Sequence, residues 1–174
     1  MTTHPSKAAA VLINQAETPE HIAQARELFL AYARSLGFSL CFQNFDKELA
    51  DLPGEYAPPH GRLLLAHLEG ELAGCVALHK LHPDVCEMKR LFVRQQFRGK
   101  RVGRALLDAI FAEARSIGYG RMRLDTVEPV MKDAVRIYRR LGFREIAPYR
   151  ANPIEGALYM ELELSKKDFR EETP

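Results

Sequence analysis

The strongest chemical signal in the chain is cationic. Residues 89–104 hold seven Lys or Arg side chains and no Asp or Glu. They run from an apolar strand, Leu91-Phe92-Val93, through a basic turn, Arg98-Gly99-Lys100-Arg101, into a helix that carries Val102, Gly103 and Arg104. From Val102 on, apolar residues recur at helical spacing: Ala105, Leu106, Ala109, Ile110, Ala114 and Ile117. The first amides of a helix lack intrahelical partners, and the helix dipole is positive there. Gly99 and Gly103 would let a ligand approach the backbone at that end. Free amides beside cations suit a phosphate or pyrophosphate. The run is not a Walker A loop, because Arg94 stands where the first Gly is needed and Arg101 follows Gly99-Lys100 in place of Ser or Thr. Gly-x-Gly-x-x-Gly is absent as well. On spacing alone, a strand-to-helix turn with solvated arginines is the competing reading.

Other reactive residue types are sparser. His79 and His82 flank Lys80-Leu81 ahead of Pro83, which reads as a strand end and not as a metal site. Cys41, Cys75 and Cys86 form no Cys-x-x-Cys pair, and an odd count without framework spacing points to reduced thiols in a cytoplasmic protein. Two of them lie in apolar strands as small core residues. Net charge is only +2, so the positive charge is local and gives no general case for nucleic acid. No apolar run approaches the ~20 residues of a membrane span, and the N-terminus lacks a signal-peptide pattern.

The elements that must position these residues follow from periodicity. At 174 residues, 47% of them hydrophobic, the chain suits one domain with a sizeable core. Residues 8–16 read as a first strand. Thr18-Pro19 opens a helix whose apolar stripe is Ile22, Ala25, Phe29, Tyr32, Ala33 and Leu36, closed by Gly37. Residues 38–59 are irregular and aromatic-rich, with a short helical piece at 46–52. Strands follow at 61–68, 72–78 and 85–93, with Glu69-Gly70 as a hairpin turn and His82-Pro83-Asp84 as the next turn. The basic turn and its helix run to Ile117 and Gly118. A strand at 121–127, a helix with the stripe Val130, Ala134, Ile137, Tyr138 and Leu141, and strands at 143–146 and 156–164 complete the order. Residues 165–174 read as a fraying polar tail. A meander followed by alternating strands and helices predicts an α/β chain with a mixed sheet and helices on both faces.

Two motifs give this order a family likeness. Gln96-Phe97-Arg98-Gly99-Lys100-Arg101-Val102-Gly103 resembles the pyrophosphate loop of the GCN5-related N-acetyltransferases, Gln/Arg-x-x-Gly-x-Gly/Ala, with Arg101 where Gly or Ala is usual. Ala134-Val135-Arg136-Ile137-Tyr138-Arg139-Arg140-Leu141-Gly142-Phe143 is similar to that family's Ala-x-x-x-Tyr-x-x-x-Gly-Phe. The Asn that the family often places three residues before that Ala is Met131 here. The resemblance implies one acetyltransferase domain over about residues 8–164, with a mostly antiparallel central sheet. It also implies acetyl-CoA as cosubstrate. The loop from Arg98 to Arg104 would hold its pyrophosphate. The strand backbone at Leu91, Phe92 and Val93 would bond the pantetheine arm, and Tyr138 would sit near the sulfur.

An alkyl amine is mostly protonated at neutral pH, so direct attack on a thioester needs a base, and the leaving thiolate needs an acid. Tyr138 is the candidate acid. Glu87 is the candidate base: it resembles the strand glutamate used so in some family members, and burial in Val85-Cys86-Glu87-Met88 would raise its pKa. The other reading of Glu87 is an ion pair with Lys89 or Arg90. The acceptor, a small-molecule or peptide amine, should meet residues 38–59 and 149–155, where Arg90 and Arg150 could bind a carboxylate. The competing function is a binding module: a CoA sensor without catalysis, or a basic patch for nucleic acid, which Phe92 and Phe97 alone support thinly. Dimerisation is common in the family, and no residue here decides it. Gly99→Asp should abolish calorimetric binding of acetyl-CoA while the protein stays folded, through bulk and charge against pyrophosphate. Unchanged affinity would remove this turn from the cofactor site.

Overall fold

The computed structural model describes residues 10–164. The start of the expected first strand and the polar tail from residue 165 lie outside them. The strands are β1 (Val11–Gln15), β2 (Arg62–Leu68), β3 (Glu71–His82), β4 (Val85–Val93), β5 (Arg121–Val127), β6 (Arg144–Glu145) and β7 (Ala157–Glu163). The helices are α1 (Pro19–Leu36), α2 (Phe45–Asp51), α3 (Val102–Ile117) and α4 (Lys132–Arg140). One seven-stranded sheet runs in the order β1-β2-β3-β4-β5-β7-β6. Neighbours are antiparallel except β4 and β5, which are parallel.

Local chemistry explains the element ends. Thr18 caps α1 by accepting from the His21 amide at 3.2 Å, Pro19 fills the first helical position, and Gly37 closes it at φ +73°. Glu69 and Gly70 both take left-handed φ values, +54° and +82°, in the β2–β3 hairpin turn. Strand β2 is apolar on both faces, so alternate residues serve two cores. Leu64, Ala66 and Leu68 face α3 with Leu106 and Ile110. Leu63 and Leu65 face α1 and α2 with Phe29 and Phe45.

One defect in this sheet makes the site. Strand β4 pairs with β5 only at Val85, Cys86 and Glu87, opposite Arg121, Met122 and Arg123. Beyond Glu87 the two strands part, and β5 continues along β7 to Val127. On the other side of β4, Ala77 faces Lys89 while Cys75 faces Phe92, so Arg90 and Leu91 together oppose Val76. This is a β-bulge, and Arg90 holds it at φ +59°. Just beyond, Gly74 lies so close to β4 that a Cβ there would meet the Phe92 carbonyl oxygen at 2.4 Å. A bulge is thus present in β4, where no sequence signal announced one.

Arg90 is 4% exposed, and its guanidinium is enclosed by other side chains. Its Nε and Nη2 donate to Glu48 of α2 at 3.1 and 2.6 Å. Its guanidinium carbon stands 5.2 Å from the Phe45 ring centre and 5.8 Å from that of Tyr32. The Tyr56 hydroxyl also donates to Glu48. The expectation that Arg90 binds an acceptor carboxylate is therefore corrected: burial demanded a fixed counterion, and Glu48 supplies it. Glu48→Ala leaves a buried guanidinium unpaired and should destabilise the fold by about 3 kcal/mol in chemical denaturation. A loss below about 1 kcal/mol would show that the pair does not hold the bulge.

Candidate active site

Three adjoining cavities lie around the parting of β4 from β5. The largest, about 930 Å³, is a groove between the end of β4, the start of α3 and the face of α4. Leu91, Phe92, Val93, Arg98, Gly103, Arg104 and Tyr138 line it. The β4 edge from Met88 onward has no partner strand on the β5 side, so its backbone groups on that side are not used in the sheet. At the groove's outer end α3 begins on Arg101 with no side-chain cap. Arg101 is left-handed at φ +66° and Gly99 at φ +77°. A left-handed non-Gly residue costs about 1–2 kcal/mol, which gives a physical reason for the usual Gly at position 101. A Cβ on Gly99 would meet nothing within 4 Å, so its backbone angle, not crowding, requires Gly in this fold.

Lys100, Arg101 and Gly99 form the turn itself and are not in the groove wall. The Val102 side chain points into the core at 1% exposure, leaving only its backbone to the helix start. Arg98 donates from Nε to the Val93 carbonyl at 3.2 Å, which ties the turn to the strand end. Lys132 and Arg140 of α4 add positive charge to the groove, against one acid, Asp133. Free helix amides, cations and an unpaired strand edge fit a phosphate-ended, amide-bearing arm such as that of acetyl-CoA.

The second cavity, about 40 Å³, is a throat between the parted strands. Met88, Lys89, Arg90 and Leu91 line one side, and Leu124, Asp125 and Thr126 the other. Tyr138 and Met131 line both throat and groove. Tyr138 is 5% exposed, and burial pushes its hydroxyl pKa well up, so it keeps its proton. Met131 takes the place of the family's usual Asn, and its sulfur accepts from the Thr126 hydroxyl at 3.3 Å.

The third cavity, about 350 Å³, is polar. Residues of the irregular segment wall it, among them Gln43, Glu48, Glu55 and Tyr56, with His79 of β3, Lys89 of β4 and Arg150 opposite. Its walls draw on the segment 38–59 and, of residues 149–155, on Arg150. Gln43 and Lys89 line both this pocket and the throat, so the three cavities adjoin in series.

Glu87 departs from expectation. It is 0% exposed and lines none of the three cavities. One carboxylate oxygen accepts from His79 Nε2 at 2.6 Å and from the Arg150 guanidinium. The other accepts from the Tyr149 hydroxyl at 2.8 Å. Burial by itself would raise the pKa, but the His79 bond and the nearby charges of Lys89 and Arg150 outweigh it and bring it down to about 2. The predicted upward shift is thus reversed. The ion-pair reading holds in kind but not in partner: Arg150 makes the pair, while Arg90 goes to Glu48. Arg150 is accordingly committed inward as well, although its buried Nε has no hydrogen-bond partner among the described residues. Lys89 has no carboxylate within ion-pair distance among the described residues, and burial lowers its pKa.

Glu48 and Asp125 were not singled out from sequence; the sequence marks His79 only as a strand end, Lys89 only as an ion-pair partner for Glu87, and Tyr149 only as part of a lining segment. For His79 a signal existed. Counting back from the β3–β4 turn brings it level with Glu87 to within one residue, and the register confirms that pairing. The others come from distant segments with no motif.

A sequence model of the Acetyltransferase (GNAT) family matches residues 22–143. An uncharacterized N-acetyltransferase of Schizosaccharomyces pombe is 40% identical over 162 residues, covering 92% of this chain and 99% of that protein. A GNAT-family acetyltransferase structure from Staphylococcus aureus superposes with a TM-score of 0.75 at 19% identity, covering 90% of this chain and all of that one. A Salmonella typhimurium protein solved with its cofactor acetyl-CoA superposes with a TM-score of 0.62 at 18% identity, covering 91% and 96%. With a mixed sheet split at β4 and β5, a basic uncapped turn below the split and relatives of this closeness, the chain belongs to the GNAT acetyltransferase family and is an N-acetyltransferase.

Proposed function

We propose that the protein transfers an acetyl group from acetyl-CoA directly to the amine of a small molecule that also carries a carboxylate. The observation that carries this reading is the series of cavities: a basic groove, a throat walled by Tyr138 and Lys89, and a polar pocket of about 350 Å³. Acetyl-CoA supplies the acyl group as a thioester. The backbone at Gly99, Lys100, Arg101 and Val102, with the side chains of Arg98 and Arg104, holds the pyrophosphate end. The free β4 edge at Leu91, Phe92 and Val93 aligns the arm. Tyr138 keeps its proton at neutral pH and donates it, as a hydrogen bond or outright, to the departing sulfur.

Lys89 supports the acceptor class. It stands where throat and pocket meet, while Arg90 and Arg150 are tied to Glu48 and Glu87. A carboxylate close to the reacting amine would give Lys89 its missing counterion and put the nitrogen toward the throat. The basic-patch alternative loses ground on the same charge count. Arg90 pairs with Glu48 and Arg94 with Glu27, so the cationic run is not a free stripe for nucleic acid.

Acetyl-CoA should bind in a calorimeter, and amino acids should release thiol faster than the amines left after removing their carboxyl group. Equal rates for such pairs, or a preference for peptides, would overturn the acceptor class. Lys89→Met should lower kcat/KM for the carboxylate-bearing partner roughly 10- to 100-fold, and hardly change that of the decarboxylated one. Tyr138→Phe should lower kcat by about 100-fold with little change in acetyl-CoA affinity. An unchanged kcat would take Tyr138 out of the mechanism.

A further inference from the structure

We infer that His79 is the general base of the acceptor side and that Glu87 is its positioning residue. The inference rests on the acetyl-transfer reading above. A base must come within hydrogen-bond reach, or one water, of the proton it removes. Glu87 cannot meet that condition here. Its side chain is sealed, lines none of the three cavities, and spends both oxygens on His79, Arg150 and Tyr149. Two side chains, His79 and Arg150, both bond Glu87 and line the acceptor pocket, and of these only the imidazole can accept a proton.

The geometry also selects the tautomer. Glu87 is an acceptor only, so His79 Nε2 must carry the proton in the 2.6 Å bond. In the neutral ring that leaves Nδ1 as the nitrogen with a lone pair. Nδ1 lies 3.5 Å from the Glu55 carboxylate, whose side chain is 84% exposed. Glu55 is thus placed to draw an ammonium group toward Nδ1, where two acceptors converge on one cation. Tyr56 packs its ring edge-on against the imidazole at 6.0 Å between centres and holds the ring plane. Around the imidazole stand Glu87 and Lys89 of β4, Glu55 and Tyr56 of the turn Gly54–Tyr56, Glu48 of α2, and Tyr149 with Arg150.

The step is a single proton transfer. Nδ1 takes one proton from the acceptor's ammonium, giving an imidazolium and a neutral amine whose lone pair is free to attack. The ionised Glu87 stabilises the imidazolium, which then passes its proton to water in the pocket. An alkyl ammonium with a pKa of about 10 is neutral in only about one molecule in a thousand at pH 7, so a base has much to contribute there.

Two readouts test this. The first needs no turnover. Nitrogen NMR of the folded wild-type protein at pH 8 should show His79, assigned by its loss in His79→Gln, as the Nε2–H tautomer. Glu87→Gln, checked for an unchanged fold by circular dichroism, should give a mixture. An Nδ1–H tautomer, or one indifferent to Glu87→Gln, would overturn the positioning role. The second is the pH profile of kcat/KM with an alkyl amine that the wild-type protein acetylates. His79→Gln should lose about 100-fold or more at pH 7, and the deficit should shrink toward pH 10 as solvent deprotonates the amine. It should also nearly vanish at pH 7 for an alkoxyamine analogue, which is already neutral there. A constant deficit at every pH and for both acceptors would mean a structural role and overturn the inference alone. Wild-type protein that binds acetyl-CoA but acetylates no amine would overturn the acetyl-transfer reading, and this inference with it.

Discussion

Everything functional in this molecule depends on a separation that the sheet is forced to make. Parallel strands β4 and β5 hold together for three residue pairs and then part at the Arg90 bulge. A left-handed arginine in mid-strand is costly, and it persists because its guanidinium is enclosed by Glu48, Phe45 and Tyr32. The chain before the meander thus pins the strand that the chain after it must leave. The throat lies between the parted strands, and the groove and the polar cavity adjoin it.

Charge is distributed on the same logic. Two acids, the half-buried Glu48 and the buried Glu87, each take one arginine, and each also accepts from a tyrosine hydroxyl. Half-satisfied buried charges would be expensive, whereas these are nearly saturated with donors. The cost of enclosing them is offset by rigidity: Glu48 fixes the bulge, and Glu87 fixes His79 and the segment after β6. Tyr138, His79 and Lys89 stand instead at the cavity walls.

The two departures from family pattern fit this frame. Arg101 keeps the left-handed turn that a glycine would adopt without strain, so the helix start retains its free amides. Met131 gives up a polar contact but fills the joint between groove and throat, where Thr126 bonds its sulfur. Neither change blocks the cavities.

Sequence by itself determined the elements and the family, and it marked the basic turn at the start of α3. Periodicity placed four helices and seven strands, because burial of one helix stripe or alternate strand residues leaves a local trace within a few residues. Helix caps at Thr18 and Gly37 and the turn at Glu69-Gly70 were legible for the same reason. The basic turn and Tyr138 lie within short contiguous motifs, so the groove could be anticipated. Only the tertiary structure decided the acceptor side. Glu87 looked like a carboxylate destined for a raised pKa, since its strand neighbours are apolar. Its true surroundings come from His79 on the next strand and from Tyr149 and Arg150, some sixty residues away. Arg90 looked free to bind a substrate until α2 brought Glu48 beneath it. A residue's ionisation and availability depend on which charges the fold places within a few ångströms, and that distance is not written in any local pattern.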